Sequence, residues 1–276
     1  MGRGRGSYTA LVDADPEDAL AASDEHDVRA GVASDAGRQS VAAAHEQGSE
    51  QAAVAGPGWA VLHLFCRVQH GFDPAGVEMA VKRCQASGHQ VVTASLLGHK
   101  ADLALLGLGP SGEQLRILQS ELRLAGCVPE WSFVSRTEVS EYAAGVPAEL
   151  REARLHPKLP PEGLPAFCFY PMSKRRLAGD NWYRLSHEER LGLMHEHGGS
   201  GRRFRGRVLQ LVTGATGLDD WEWGVTLFGR THEDLKECVY TMRFDQASAR
   251  YADFGPFYTG IVAPVEEVLG MCGLLS

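Results

Sequence analysis

The chain has 276 residues, 44% hydrophobic and 22% charged, with a formal charge of −8. That is ordinary globular composition, enough for one large domain or two small ones. It contains no run of 18 apolar residues and no apolar signal-peptide core, which argues against a membrane span or a secretory address.

The acidity is uneven. Residues 1–57 hold 4 Lys+Arg against 10 Asp+Glu, whereas the remainder holds 23 against 25. The first stretch is rich in Ala, Gly, Ser, Asp and Glu, with one aromatic residue, Tyr8. It has no apolar period able to bury a face, so it reads as a disordered leader with at most a short helix around Pro16–Ala22. Six cysteines are scattered with no Cys-x-x-Cys pair. That predicts reduced core thiols, a cytoplasmic setting and no cysteine-built metal site.

Folded sequence begins at Trp59. Ala60–Val68 is strand-like, and 74–87 is helical with Val77, Ala80, Val81 and Cys84 on one face. Two strands follow at 91–97 and 102–107. Ser111 opens a helix to Ala125 with Leu115, Leu118 and Leu122 aligned, and 128–138 returns as a strand. The order β-α-β-β-α-β over 58–141 is the ferredoxin-like arrangement.

Five prolines in 142–165 mark a connector loop. The same element order then repeats over 166–276: a strand at Ala166–Tyr170, a helix at Ser186–His197, strands at 205–213 and 221–228, a helix at 232–241, and a last strand ending near 261. No sequence repeat accompanies it. Two such halves, packed sheet to sheet, predict an α+β fold: one dimeric α+β barrel with antiparallel sheets.

Chemistry concentrates in the second half. Ser186 and Glu189 form a capping box, and Gly198-Gly199 is the expected helix end. Arg190, Met194 and His197 share one face. His197 is either a cation at a helix C-terminus or a ligand. His195 competes, but points about 160° away round the helix, so only one of the two can face a pocket. Tyr170, Met172 and Lys174 fall on one strand face if the strand continues that far. Taken alone, Tyr170 reads as packing with its hydroxyl at the rim.

From Lys174 to Arg207 there are nine Lys+Arg against four acids. Trp182, Tyr183 and Phe204 are interleaved as a single-strand binder would need, yet an acidic chain fits nucleic acid poorly and a small polyanion better. Gln210, taken as buried in mid-strand, either satisfies backbone or faces a ligand. Arg243 and Ser248, flanking a tight turn, clamp a carboxylate or brace the loop. Gly107-Leu108-Gly109-Pro110-Ser111-Gly112 matches a dinucleotide fingerprint, but two adjacent strands precede the helix, so a plain glycine-rich turn is the better reading.

Several motifs then occur in order: Phe169-Tyr170-Pro171-Met172-Ser173-Lys174-Arg175-Arg176, Asn181-Trp182-Tyr183, Glu196-His197-Gly198, Asp219-Asp220-Trp221-Glu222-Trp223-Gly224-Val225-Thr226-Leu227-Phe228, and Met242-Arg243-Phe244-Asp245. Together they resemble coproheme decarboxylases, within the chlorite-dismutase-like group of dimeric α+β barrels. The resemblance covers about 58–262 and is strongest from 150 to 260. The leader departs from the family, which starts near the first strand.

The resemblance implies hydrogen-peroxide-dependent conversion of iron coproporphyrin III to haem b, carried out in the second half only. It implies Tyr170 as the radical-forming residue, Lys174 as its catalytic neighbour, and His197 rather than His195 as the iron ligand. It places porphyrin contacts at Arg154, Tyr170, Pro171, Met172, Ser173, Lys174, Gln210, Arg243 and Ser248. Chlorite-degrading relatives carry arginine over the iron where this chain has Gln210, so chlorite chemistry is disfavoured. The base that deprotonates peroxide stays open; no motif puts His156 in the pocket. A homopentamer and a transient ferrochelatase contact also follow from the family. A haem carrier, sensor or peroxidase on the same fold is the alternative.

Overall fold

A computed structural model describes residues 58–143 and 146–272. The expected leader, with its short helix near Pro16, lies outside the described residues.

β1 (Ala60–Val68), α1 (Pro74–Ala86), β2 (Gln90–Leu97), β3 (Leu103–Gly109), α2 (Gly112–Leu124) and β4 (Cys127–Thr137) build the first half. Its strands run β2-β3-β1-β4, antiparallel throughout. β3 is an unbroken apolar run because both its faces are buried. The buried residues of α1 (Val77, Ala80, Val81, Cys84) and α2 (Leu115, Leu118, Leu122) recur at helical spacing. They close over Leu62, Leu64 and Cys66 of β1 in one aliphatic core. β3 is antiparallel to both neighbours, and Gly107 and Gly109 lie within it. The parallel βαβ unit of a dinucleotide site is therefore not there.

The connector contains a helix that its prolines conceal, α3 (Ala148–Leu155). The second half comprises β5 (Ala166–Lys174), the small hairpin β6 (Arg176–Leu177) and β7 (Asp180–Asn181), a 3₁₀ turn (Trp182–Arg184), α4 (His187–Arg202), β8 (Val208–Gly214), β9 (Trp223–Gly229), α5 (His232–Met242), α6 (Gln246–Ala249), β10 (Ala252–Phe254) and β11 (Tyr258–Val262). α7 (Val265–Met271) then returns to pack Val265, Val268 and Leu269 into the first-half core.

β8-β9-β5-β11 repeats the first-half strand order. β11 pairs with β2 through Thr259–Val262, and β4 pairs with β8 through Arg136 and Thr137, so the sheet closes on itself as an antiparallel barrel. The interior is aromatic: Phe65, Phe133, Phe167, Phe169, Phe228 and Tyr258 meet there. His63 is buried among them, its Nε2 2.9 Å from Thr226 Oγ1 and its ring 4.3 Å from Phe169. Removal from water lowers this imidazole from its ordinary 6.5 to about 3.

Two expected boundaries move. β5 runs four residues beyond Tyr170 in spite of Pro171. Pro171 sits where the neighbouring strand changes from β11, paired up to Phe169, to β10, paired from Met172, so its missing N–H interrupts no ladder bond there. α4 runs through Gly198 and Gly199 to Arg202. Neither glycine adopts a left-handed conformation; Gly206 (φ +72°) does so, after the helix has ended.

Candidate functional site

The β5 pleat sends Phe167 and Phe169 into the barrel and Cys168, Tyr170, Met172 and Lys174 to the outer face. Register extends that face sideways. Tyr170 is opposite Val225 of β9, itself opposite Val212 of β8; Cys168 is opposite Leu227, itself opposite Gln210. Strand spacing and rise then separate Tyr170 from Gln210 by about 12 Å. Gln210 is exposed, not buried as expected, because α5 covers this face only over Val208, Leu227 and their neighbours.

Tyr170 is 6% exposed. Its ring stacks 4.5 Å from Phe257 and lies 5.7 Å from Phe254. The Arg243 guanidinium lies 4.1 Å above Phe254. Burial pushes the phenol pKa well above its ordinary value, and Arg243 opposes that shift. The hydrogen therefore stays on the oxygen at neutral pH. Among the described residues nothing hydrogen-bonds this hydroxyl.

Two positions along the same face, Met172 packs against the Tyr170 core. Lys174 comes next, its Nζ 4.0 Å over the Trp182 ring and 3.1 Å from the Ala247 carbonyl. Burial lowers this amine to about 8, with Asp245 and Glu222 pulling the other way. Ser173 faces elsewhere: its Oγ accepts from the Glu222 N–H at 3.1 Å.

His197 comes from α4, whose start is fixed by the predicted capping box of Ser186 and Glu189. Its Nδ1 is 3.0 Å from Asp245 Oδ2. Asp245 is nearly inaccessible and caps α6 by accepting from the Ser248 N–H. Burial alone would raise its carboxyl pKa, but His197 and Ser248 outweigh burial and hold it below the usual carboxylate range. The Ser248 hydroxyl is buried between the two, 3.3 Å from Asp245 Oδ2 and 3.4 Å from His197 Nδ1. Nε2 is thus the His197 nitrogen left for a ligand, on a ring whose tautomer and orientation are set by a carboxylate. His195 has no such partner; its Nε2 is buried without a hydrogen bond.

α4 is unusual for a 16-residue helix: none of its residues is buried. Glycines occupy positions 192, 198, 199 and 201, each unfavourable to a helix by roughly 1 kcal/mol. A Cβ at Gly192 or Gly201 would meet nothing within 4 Å, so packing does not demand them.

Arg154 lies on α3, half-buried, and loss of hydration lowers its guanidinium pKa. The next residue, Leu155, accepts from Thr137 Oγ1, and Thr137 pairs with Thr213. That puts the end of α3 at the seam beside the strand carrying Gln210. The expected basic face is smaller than its count, because Arg175, Arg176, Arg190 and Arg207 are in ion pairs with Asp253, Glu222, Glu141 and Asp234.

Among the described residues no group of three or more His, Cys, Asp or Glu is arranged to hold a metal ion. A single imidazole oriented by a carboxylate is a donor that suits iron whose other ligands would come from a macrocycle. The fold is a dimeric α+β barrel with antiparallel strands.

The chain belongs to the chlorite dismutase family, whose profile matches residues 75–263. It is 40% identical to a coproheme decarboxylase of Staphylococcus carnosus (strain TM300), over 79% of this chain and 97% of the relative. It is similar to a heme-binding protein from Thermus thermophilus (TM-score 0.70, 35% identity, 79% of this chain and 96% of that one). It shares the fold of chlorite dismutase from Candidatus Nitrospira defluvii (TM-score 0.64, 18% identity, 81% and 99%).

The structure also adds residues to the site. Asp245, Trp182, Glu222, Phe254 and Phe257 all contact candidate residues, yet none was singled out for that role. Asp245 carried a readable signal, an Asp-x-x-Ser cap.

Proposed function

We propose that this chain decarboxylates iron coproporphyrin III oxidatively to haem b with hydrogen peroxide. The observation that carries the reading is the His197 imidazole oriented through Nδ1 by Asp245, beside the oxidisable Tyr170 on the outer face of β5, the strand whose Lys174 reaches Ala247 two residues from Asp245. The 40%-identical relative named a coproheme decarboxylase supports it.

His197 Nε2 would hold the iron, and the Tyr170–Lys174 strand with Gln210 would line the macrocycle. The bound iron porphyrin supplies the oxidising power that peroxide delivers. Tyr170 gives up its phenolic electron and proton, then recovers a hydrogen atom from the β-carbon of the adjacent propionate. The side chain then loses its carboxyl as carbon dioxide and gives up one further electron, which the oxidised iron porphyrin would accept, and becomes vinyl. Each round consumes one propionic side chain and one hydrogen peroxide, and yields one vinyl, one carbon dioxide and two waters. A second round completes haem b.

Lys174, with a pKa near 8, is cationic at neutral pH yet able to release a proton. It neutralises the reacting carboxylate and moves that proton. Arg154, Arg243 and Ser248 hold the carboxylates that remain, Ser248 by turning its hydroxyl from Asp245. Pro171, Met172 and Ser173 shape the wall. Gln210 contributes a neutral amide where a cation would steer an anionic oxidant. All six cysteines are free thiols, which fits the cytoplasm. Among the described residues no helix is long and apolar enough to cross a membrane. Assembly as a homopentamer and haem transfer through a ferrochelatase contact complete the reading.

The test is to add iron coproporphyrin III to the purified protein, titrate hydrogen peroxide and follow porphyrin mass. Two successive carboxyl losses are expected. Tight binding with unchanged mass, or bleaching, would instead indicate a haem carrier or a peroxidase.

A further inference from the structure

Glu222 precedes β9 by one residue and is 7% exposed. A carboxylate so far from water is costly unless its lone pairs are filled. They are filled by the two segments that frame Lys174. Oε2 accepts from the Lys174 backbone N–H at 2.7 Å. Oε1 faces the Arg176 guanidinium at 3.6 Å. The same carboxylate acts on the nearby Tyr183: burial first, and then Glu222, raises the phenol pKa. The Glu222 backbone is fixed as well, its N–H on Ser173 Oγ and its carbonyl on the Ala215 N–H.

The position explains why a side chain is needed there. The β5–β9 ladder ends at Met172 opposite Trp223. Beyond it the β9 backbone no longer holds β5, and the Glu222 carboxylate takes over as the next rung. On its other side, Tyr183 adjoins Trp182, the ring on which the Lys174 amine rests at 4.0 Å. One carboxylate thus holds the root of the lysine and acts on the turn that carries the platform under its tip.

We infer that Glu222 is a positioning residue that fixes Lys174 for its work on the substrate carboxylate, by tying the end of β5 to the Trp182–Tyr183 turn. This rests on the reading of Lys174 given above.

The experiment is a double-mutant cycle on the full chain with iron coproporphyrin III and peroxide. Glu222→Ala is expected to lower kcat about 10- to 100-fold, as a misplacement on the order of 1 Å does, while KM for the porphyrin changes less than about threefold. In a Lys174→Ala background the same change should cost less than about twofold, because its effect runs through the lysine. Glu222→Gln keeps an oxygen for the Lys174 N–H and should recover most of kcat. If the alanine variant does not fold, Glu222→Asp, which keeps the charge but falls one methylene short, carries the same cycle. Losses that multiply independently in the double variant, or a change confined to KM, would overturn the inference. A Lys174→Ala enzyme as fast as wild type would remove the Lys174 reading itself, and this inference with it.

Discussion

The two halves of the barrel share an element order and use it in opposite ways. In the first half, the outer face of β1 presents Leu62, Leu64 and Cys66, and α1 and α2 bury seven residues over it. In the second half, the outer face of β5 presents Cys168, Tyr170, Met172 and Lys174; α5 buries three residues over part of it, and α4, in the place of α1, buries none. The first half closes its sheet against water with aliphatic packing. The second covers only part of the equivalent face and places there a buried phenol, a half-buried amine and an exposed amide. The candidate site lies in the half whose outer face is packed less completely.

That contrast can be broken at several points. The largest effect is expected in the interior that both halves share. His63 has its folded pKa depressed to about 3 from 6.5. For a base this stability is fully present above the unfolded value. As pH falls from about 6.5 to 3, the unfolded chain takes up the proton first, and on the order of 4 kcal/mol is lost. Its ring neighbours are Phe65, Phe133 and Phe169, none of which can compensate the charge. Urea midpoints at pH 7 and pH 4 should differ strongly in wild type and much less in His63→Met. Equal pH sensitivity in both would assign acid lability to other groups.

Next comes the first-half core. Leu118→Ala should destabilise by about 3 kcal/mol, whereas Leu191→Ala on α4 should cost less than about 1 kcal/mol. Denaturant unfolding of the pair measures the contrast directly, and similar losses would erase it.

Asp245→Asn keeps a good helix cap but removes the carboxylate from His197. Affinity for the iron porphyrin should fall about 10- to 100-fold with little change in melting temperature. Unchanged affinity would mean that His197 is not the ligand, and its absorbance spectrum would show the same.

The smallest effect is expected from two helical glycines. Gly192→Ala in α4 meets nothing within 4 Å and should stabilise by up to about 1 kcal/mol. Gly76→Ala in α1 would put a Cβ 2.6 Å from Asp73 Oδ2 and 3.1 Å from Ala125, and should destabilise. Thermal melts of the two variants should move in opposite directions.

The same contrast explains what could be read in advance. First-half elements were legible to within a residue or two because their apolar periods record actual burial: Val77, Ala80, Val81 and Cys84 in α1 face the core they predict. In the second half the periods fade where the site begins. α4 has no buried stripe to trace, and its glycines, which keep helical geometry, mimic a stop at Gly198. Pro171 hides the far end of β5, on which the alignment of Tyr170, Met172 and Lys174 depends. Gln210 between two leucines looked buried, but those leucines face the barrel and the amide faces out. The candidates Tyr170 and His197 stood out through motifs. The carboxylate that orients His197 did not, because Asp245 is 48 residues away and only the fold brings it to 3.0 Å.

The proposed chemistry on the outer face of β5 rests most heavily on one hydroxyl. Load Tyr170→Phe with iron coproporphyrin III, add hydrogen peroxide and follow the porphyrin mass beside wild type. The account predicts binding within a few-fold of wild type and no loss of either carboxyl group. Two successive carboxyl losses at the wild-type rate would contradict it.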